Sequence, residues 1–379
     1  MKIAYIAHDL TDAAVGKRVV MLRAGGAEVA LAGFRRQERP VTSLAGLTVV
    51  DLGQTFDGRL AHRAIKGLRL AVDPAALSDC VRGADVVMAR NLEMLLVAAE
   101  ARRRYAPGAR LVYECLDIHE AMVGTGLKSR LLRWLERVLI AQTDLLMVSS
   151  PAFMSAYFEP FHRQVPPALL VENKVLDLDG EGGASLGLAG ARDRPGPPWR
   201  IGWFGILRAQ KALDSLCAIA RALPGDVEIV IRGKPTTADF TDFLGQIEAT
   251  PGVSYGGPYR PDEIAALYAD IHLCWAIDLT SESGNSRWLL PNRIYEGGRY
   301  GTVPIAISDT QTGRWLAANG VGLCVDQPVE DTIAIVQSLT PDRFAALRDA
   351  ARRLPDACVV DGRAECEALV RAVAGRPPG

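Results

Sequence analysis

The chain has 379 residues, too many for one small core, so its length points to two domains. It is 49% hydrophobic and 23% charged, with 43 Lys and Arg against 44 Asp and Glu. That is an ordinary soluble globular profile, and it excludes an overall bias toward nucleic acid. The halves differ: residues 1–175 hold 23 basic and 18 acidic residues, and the remainder is acidic by a similar margin. Such an asymmetry hints that the first half meets something anionic, a membrane surface or a charged acceptor.

From the N-terminus, Lys2–Ala7 reads as a strand that His8 and Asp9 interrupt, so it is not a signal peptide. Further strands are expected at Glu28–Ala32, Asp85–Met88, Arg110–Glu114, Asp144–Val148 and Ala168–Val171. Helices are expected near 15–24, 92–104, 127–141 and 151–158. From Leu176 to Pro198 glycines and prolines gather among small and charged residues, which is linker chemistry. A second series follows, with strands at Arg200–Phe204, Val227–Ile231, Val253–Tyr255, Ile271–Trp275, Val303–Ile307 and Gly322–Val325. Its helices are expected near 211–222, 239–249, 261–268, 292–299 and 311–318, and the tail from Pro341 reads as one or two more.

The alternation predicts an α/β protein of two doubly wound Rossmann-like domains, with ligands at the carboxyl ends of the strands in the cleft between them. The expected boundaries are 1–175 for the first Rossmann-like domain, 176–198 for the linker, 199–340 for the second and 341–379 for C-terminal helices. The seven cysteines show neither a C-x-x-C pair nor zinc spacing and read as reduced, buried hydrophobes. No apolar run approaches the roughly 20 residues of a membrane span, so the expectation is a cytoplasmic protein.

The most informative stretch is Arg287–Gly301, RWLLPNRIYEGGRYG, followed at once by the TVPIAI strand. A helix starting near Asn292 offers free N–H groups and a partial positive charge to an anion such as a diphosphate. Glu296, one turn in, can accept hydrogen bonds from ribose hydroxyls. The plain alternative is an ordinary helix with Glu296 in solvent.

Gly205 ends the first strand of the second domain and lets backbone approach a ligand. Arg208 and Lys211, three apart at a helix start, can both reach one anionic group, although two cations there oppose the helix dipole. Arg232-Gly233-Lys234 and the Tyr255–Tyr259 loop lie on the same rim, where Tyr259 can lie against a base and simple turns are the alternative.

In the first domain, Glu114, Asp117, His119 and Glu120 follow a strand, so three carboxylates and a histidine are expected to face the cleft. His119 or Asp117 can orient a hydroxyl and a carboxylate can take a proton, with capping of the loop the alternative for some of them. His8-Asp9 and Arg90-Asn91 are secondary candidates on that rim, and His62, His162 and His272 read as structural. Residues 127–141 form a basic amphipathic helix, either docked on an anionic membrane or packed as a core helix with a solvated basic face. No His, Cys and Asp cluster has metal-ligand spacing.

A domain that opens with a Gly-plus-Arg-and-Lys loop and later offers Asn292-Arg293-Ile294-Tyr295-Glu296, Gly301 and a Val-Pro-Ile strand resembles the GT-B glycosyltransferases. It is most similar to the family-4 retaining enzymes of bacterial exopolysaccharide synthesis. The resemblance implies that Arg208 and Lys211 bind the diphosphate of a nucleotide-sugar donor, most simply UDP-linked. Glu296 then holds the ribose, and Tyr295 with the Asn292-Arg293 turn shapes the phosphate end. It also implies an acceptor, saccharide or lipid-linked, on the side of Asp117, His119 and Glu120. Retention at the anomeric carbon, no metal and no cofactor beyond the donor follow from the same likeness, as does a place in the cytoplasm or on the inner membrane face.

The family pairs two glutamates eight positions apart, but position 288 is Trp. Glu282, or the polar run Ser281–Ser286, is expected to take over the sugar contact. Two rivals remain: a sugar-nucleotide epimerase, for which no close carboxylate pair is apparent, and a two-domain protein that closes on a small ligand. A nicotinamide enzyme fits less well, because His8-Asp9-Leu10 replaces a glycine fingerprint after the first strand.

Overall fold

Strand β1 (Lys2–Ala7) reads KIAYIA, and every residue after the first is buried. Only a sheet covered on both faces buries consecutive side chains in this way. The computed structural model describes all residues except 57–59, 181–189, 191–192, 282–283 and 377–379, and the side chains of 60–64. The described chain forms two units, Met1–Glu172 with Asp361–Gly379, and Asn173–Val360.

The first unit continues with α1 (Ala13–Ala24), β2 (Glu28–Arg35), β3 (Ser43–Leu44), β4 (Leu47–Gln54), α2 (Leu60–Val72), α3 (Ser78–Val81) and β5 (Val86–Arg90). Then come α4 (Leu92–Tyr105), β6 (Arg110–Cys115), α5 (Glu120–Val123), α6 (Leu127–Ile140) and β7 (Leu145–Val148). Helices α7 (Pro151–Phe153) and α8 (Glu159–Phe161) flank a π-helical turn, and β8 (Ala168–Leu170) follows. The strand order is β3-β4-β2-β1-β5-β6-β7-β8, parallel except for the short β3–β4 hairpin. Ser150 begins the segment after β7 by accepting a hydrogen bond from Ala152 N–H, and Pro151 occupies the first helical position, where a missing N–H costs nothing.

The second unit contains β9 (Val175–Leu176), β10 (Trp199–Leu207), α9 (Gln210–Ala222), β11 (Val227–Pro235), α10 (Phe243–Glu248), β12 (Val253–Tyr255) and α11 (Ile264–Ala269). It continues with β13 (Leu273–Trp275), α12 (Asn285–Trp288), α13 (Asn292–Arg299), β14 (Val303–Ile307), α14 (Gln311–Asn319) and β15 (Leu323–Val325). Helices α15 (Glu330–Gln337), α16 (Pro341–Arg352) and α17 (Asp356–Val359) close it. The main sheet is fully parallel, ordered β12-β11-β10-β13-β14-β15. Trp203, Ile231, Leu273 and Trp275 pack on one face with Leu213 and Leu216 of α9, while Phe204 and Cys274 meet Tyr268 on the other. Chain order reverses between β1 and β5 in the first sheet and between β10 and β13 in the second. In open parallel sheets a ligand crevice lies at such a reversal, outside the carboxyl ends of the strands.

The tail from Pro341 is shared between the units. Helices α16 and α17 stay with the second, whereas α18 (Arg363–Val373) packs on α1 of the first. The fit there is close, because a Cβ on Gly25 would lie 2.2 Å from the Cys366 carbonyl oxygen. Five cysteines are buried as expected, but Cys358 is half-buried and Cys324, in the middle of β15, is exposed.

Strands β10 and β11 run side by side to the rim, where Gly205 faces Gly233. Gly233 has φ +139°, and a Cβ there would stand 1.8 Å from the Gly205 carbonyl oxygen. Both the left-handed backbone and the close approach demand glycine. Gly233→Ala is therefore expected to destabilise the second unit by about 2–4 kcal/mol, read as a lowered urea midpoint at unchanged slope.

Candidate functional site

The donor-side residues of the second unit fall at two places on its carboxyl rim. The first is built around Glu296 on α13. The Tyr268 hydroxyl donates to Glu296 Oε2 at 2.9 Å. Burial and the neighbouring Glu296 charge push the Tyr268 phenol well above its ordinary value, so it stays a proton donor. Tyr259, from the loop after β12, is partly buried and its phenol is raised by burial and then by Glu296. Its hydroxyl also lies near Gly205. Arg293 Nη1 donates to the Trp275 carbonyl at 3.0 Å, tying the start of α13 to the end of β13. Asn292 is exposed and takes a 2.6 Å hydrogen bond from Asn173.

The second place is a cavity of about 620 Å³ beside the reversal between β10 and β13. Lys211, in the first turn of α9, forms one wall, and Asp278 and Ser281 from the loop after β13 with Ser286 and Arg287 of α12 form another. Thr310 after β14 and Gln327 after β15 complete it. Asp278 Oδ1 accepts from Ser286 Oγ at 2.7 Å, and Arg287 pairs with Asp309. Thr310 caps α14, accepting from Gly313 N–H at 3.1 Å. Carboxylates and hydroxyls beside a lysine suit a ligand that carries both hydroxyl groups and negative charge.

Other expected residues are placed differently. Arg208 is exposed and stands before α9, separated from it by Ala209, which adopts φ +70°. Among the described residues Lys211 enters the cavity wall and Arg208 does not. Arg232 is held by the carbonyls of Gly257 and Pro258 and by Glu263 at 3.2 Å, so its guanidinium braces the loop that carries Tyr259. Gly233 serves the close approach of β11 to β10. Tyr295 is fully buried against Trp315, a core position. Glu282 lies outside the described residues.

In the first unit the four residues after β6 separate. Glu114 does not face solvent: it is fully buried, with Arg18 Nε at 2.7 Å, Arg90 Nε at 2.9 Å and the Tyr5 hydroxyl at 2.6 Å. The cause is its place on the strand itself, whereas Asp117 and His119 stand exposed in the loop beyond it and Glu120 opens α5, also exposed. His119 caps α5, with Nδ1 accepting from Ala121 N–H at 3.1 Å. In the neutral ring this leaves the proton on Nε2. Arg90 is likewise structural, bridging Glu114 and Asp12. Asp9 accepts from Thr11 and pairs with Arg36 at 3.1 Å. His162 on Glu136 and His272 on the Arg200 amide have the structural roles expected of them, and the side chain of His62 lies outside the described ones.

Sequence reasoning missed Tyr268 and the cavity residues Asp278, Arg287, Thr310 and Gln327. Asp278, Thr310 and Gln327 follow strand ends of the second sheet, the signal that flagged Gly205 and Arg232, whereas Arg287 lies on α12. Among the described residues no group of three His, Cys, Asp or Glu is placed to hold a metal.

No protein-family model matches the chain. The chain is similar to the succinoglycan biosynthesis protein ExoL of Rhizobium meliloti strain 1021, with 42% identity over 380 aligned residues. The match covers 99% of this chain and 93% of that protein. In fold it is similar to HepE of Anabaena solved with UDP, at a TM-score of 0.66 and 13% identity over 99% of this chain and all of the other. Sucrose-phosphate synthase of Thermosynechococcus elongatus superposes at 0.65 with 15% identity, covering 99% and 96% of the two chains.

The Glu114 node has a measurable consequence. Burial alone would raise its carboxyl, but Arg90 and Arg18 outweigh burial and hold it down to about 2. A depressed value contributes stability that is full above the unfolded carboxyl near 4.3 and is lost as pH falls toward 2. Glu114→Gln leaves two buried guanidiniums facing a neutral amide. The expected loss is about 3–5 kcal/mol at neutral pH, seen in thermal or urea unfolding, with a flatter acid limb than the parent.

Proposed function

The chain belongs to the family of the succinoglycan biosynthesis protein ExoL and has the GT-B glycosyltransferase fold, and on that premise we propose that it moves a hexosyl group from a nucleotide-sugar donor to a saccharide or lipid-linked acceptor in exopolysaccharide synthesis. The observation that carries the reading is the second unit's rim, where the Lys211 cavity opens at the sheet reversal and Glu296 is set by Tyr268. The donor is assigned as UDP-linked, since HepE, which shares the fold, has been solved with UDP-glucose.

In this reading Glu296 accepts the ribose hydroxyls while Tyr268 holds its carboxylate. Tyr259 lies against the base. Lys211, with Arg208, the Asn292-Arg293 turn and the positive end of α13, neutralises the leaving diphosphate. The sugar sits among Ser281, Ser286 and Asp278. The anomeric bond to the diphosphate breaks, and a bond to the acceptor oxygen forms on the same face. Departing negative charge is met by fixed cations, so no metal is required. Asp117, His119 and Glu120 are assigned to the acceptor side, with His119 Nε2–H donating to a sugar oxygen and a carboxylate taking the acceptor proton. Contact with an anionic membrane through residues 127–141 belongs to the same reading, because a lipid-linked acceptor is presented there. The expected location is the inner membrane face; no described helix is long and apolar enough to cross a membrane.

A thermal-shift titration tests the donor site, since a ligand of the native state raises the melting temperature by mass action. UDP and UDP-sugars are expected to raise it, with GDP and ADP weaker. Glu296→Ala and Lys211→Ala should each weaken UDP about tenfold or more, and Tyr268→Phe by less. A shift with NAD alone, or with no nucleotide, would overturn the assignment.

A further inference from the structure

Helix α6 is apolar on two sides: Leu139 and Ile140 are buried, and a second apolar stripe faces out. Ser129 and Glu136 are buried beneath it, whereas Leu127, Leu131, Trp134 and Val138 are 42–83% exposed. Their spacing of four, three and four places them on one stripe, opposite Glu136. The inward side is pinned, because Glu136 accepts from the hydroxyls of Tyr113 at 3.0 Å and Tyr157 at 2.6 Å and contacts His162 Nε2 at 2.9 Å. Rotating the stripe inward would break all three contacts. The reading of α6 as a core helix with a solvated basic face therefore fails for these four residues.

Helix α2 repeats the pattern. Ile65, Leu68 and Val72 are 51–66% exposed at spacings of three and four, while Gly67 and Ala71 turn inward. The connections β4 to β5, β5 to β6 and β6 to β7 all step in one direction across the sheet. Right-handed crossovers then put α2, α4 and α6 on one sheet face, and α4 packs against both of the others. Two apolar stripes thus share one side of the first unit.

The exposed charges on the two helices themselves are basic, although the acidic Asp73 follows α2 directly and Glu93 and Glu100 stand on α4 between them. Lys128, Arg130 and Arg137 are exposed on α6 and Arg69 on α2, and the one acid of α6 is the buried Glu136. We propose that this face of α2 and α6 is a docking surface for an anionic lipid bilayer, into which Leu131, Trp134 and Leu68 insert. The inference rests on the membrane-contact part of the proposed function and extends it to a second helix. A bilayer accepts both features at once: acyl chains take the stripes and anionic headgroups take the cations. A second copy of the chain would bring these cations against each other, since a two-fold contact pairs like surfaces.

The test is co-sedimentation of the full chain with phosphatidylcholine vesicles, with and without one third phosphatidylglycerol, at low and high salt. Binding is expected only with the anionic lipid and should weaken with salt. Leu131→Ser with Trp134→Ser should lower partitioning about tenfold or more, and Leu68→Ser about threefold. Arg130→Glu, which removes one favourable charge and adds an opposing one, should lower it about tenfold or more. All four positions are exposed, so the melting temperature and its rise with UDP should be unchanged. Equal binding to neutral vesicles, no binding, or no effect of the variants would overturn the surface. A lipid-free dimer that the same variants abolish would assign the face to a second copy and overturn it as well. If UDP still raises the melting temperature while vesicle binding fails, only the docking surface falls. The absence of the UDP shift falls on the transferase reading instead.

Discussion

A parallel strand can be followed by its neighbour only through a crossover, and that constraint arranges most of this molecule. Every crossover returns the chain to the same end of the sheet, so the residues that leave strands gather on one rim. Where the direction of stepping reverses, two crossovers diverge and no helix covers the gap. In the second unit this point lies between β10 and β13. Lys211, Asp278, Thr310 and Gln327 come from segments more than 100 residues apart at the extremes, yet they line one cavity because each follows a strand of the same sheet. The glycine pair at Gly205 and Gly233 lets β10 and β11 stay in register to their last residues, which keeps that rim in place.

A buried charge at the end of a strand is expensive, and the first unit meets that cost with a closed set of partners. Glu114 has two guanidiniums and a phenol within hydrogen-bond distance, and Arg90 also reaches Asp12 at the start of α1. The node joins β1, β5, β6 and α1 around the reversal point of the first sheet. Its worth lies less in net stability than in the penalty for disturbing it, since removing one partner strands the others in low dielectric. Those elements also carry the loops that hold His8, Asn91 and Asp117. The node therefore fixes the position of those loops.

Much of the fold was legible because periodicity reports burial. Helix α13 and strands β1, β12 and β14 have the limits read from sequence. Strand β4, with half-buried LTVVDLGQ, and helix α15 went unread, since neither has a strong apolar period or a clean cap. The site was legible at the level of loops and less so at the level of side chains. A strand-end residue can turn inward or outward, and composition does not say which. Glu114 and Asp117 differ by three positions, yet one is fully buried and the other exposed. Tyr295 and Glu296 are neighbours, and the helix sends the tyrosine into the core and leaves the glutamate at the rim beside Tyr268. Arg232 stands on the expected rim, but its guanidinium is taken up by its own loop's carbonyls and Glu263.

Helix α6 shows why an amphipathic pattern alone cannot tell core from interface. Its strong segregation of apolar and basic residues is equally compatible with either orientation, and packing usually turns the apolar side inward. Here the polar residue Glu136 decides. One carboxylate surrounded by two phenols and an imidazole can be satisfied only inside, so the leucines opposite it must point out. Leaving four large apolar side chains in water is unfavourable, and a soluble monomer has no reason to keep them aligned on one stripe. A surface that covers them recovers the free energy that the fold gives up by holding Glu136 inward. The buried network and the exposed stripe are then two sides of a single choice of helix orientation.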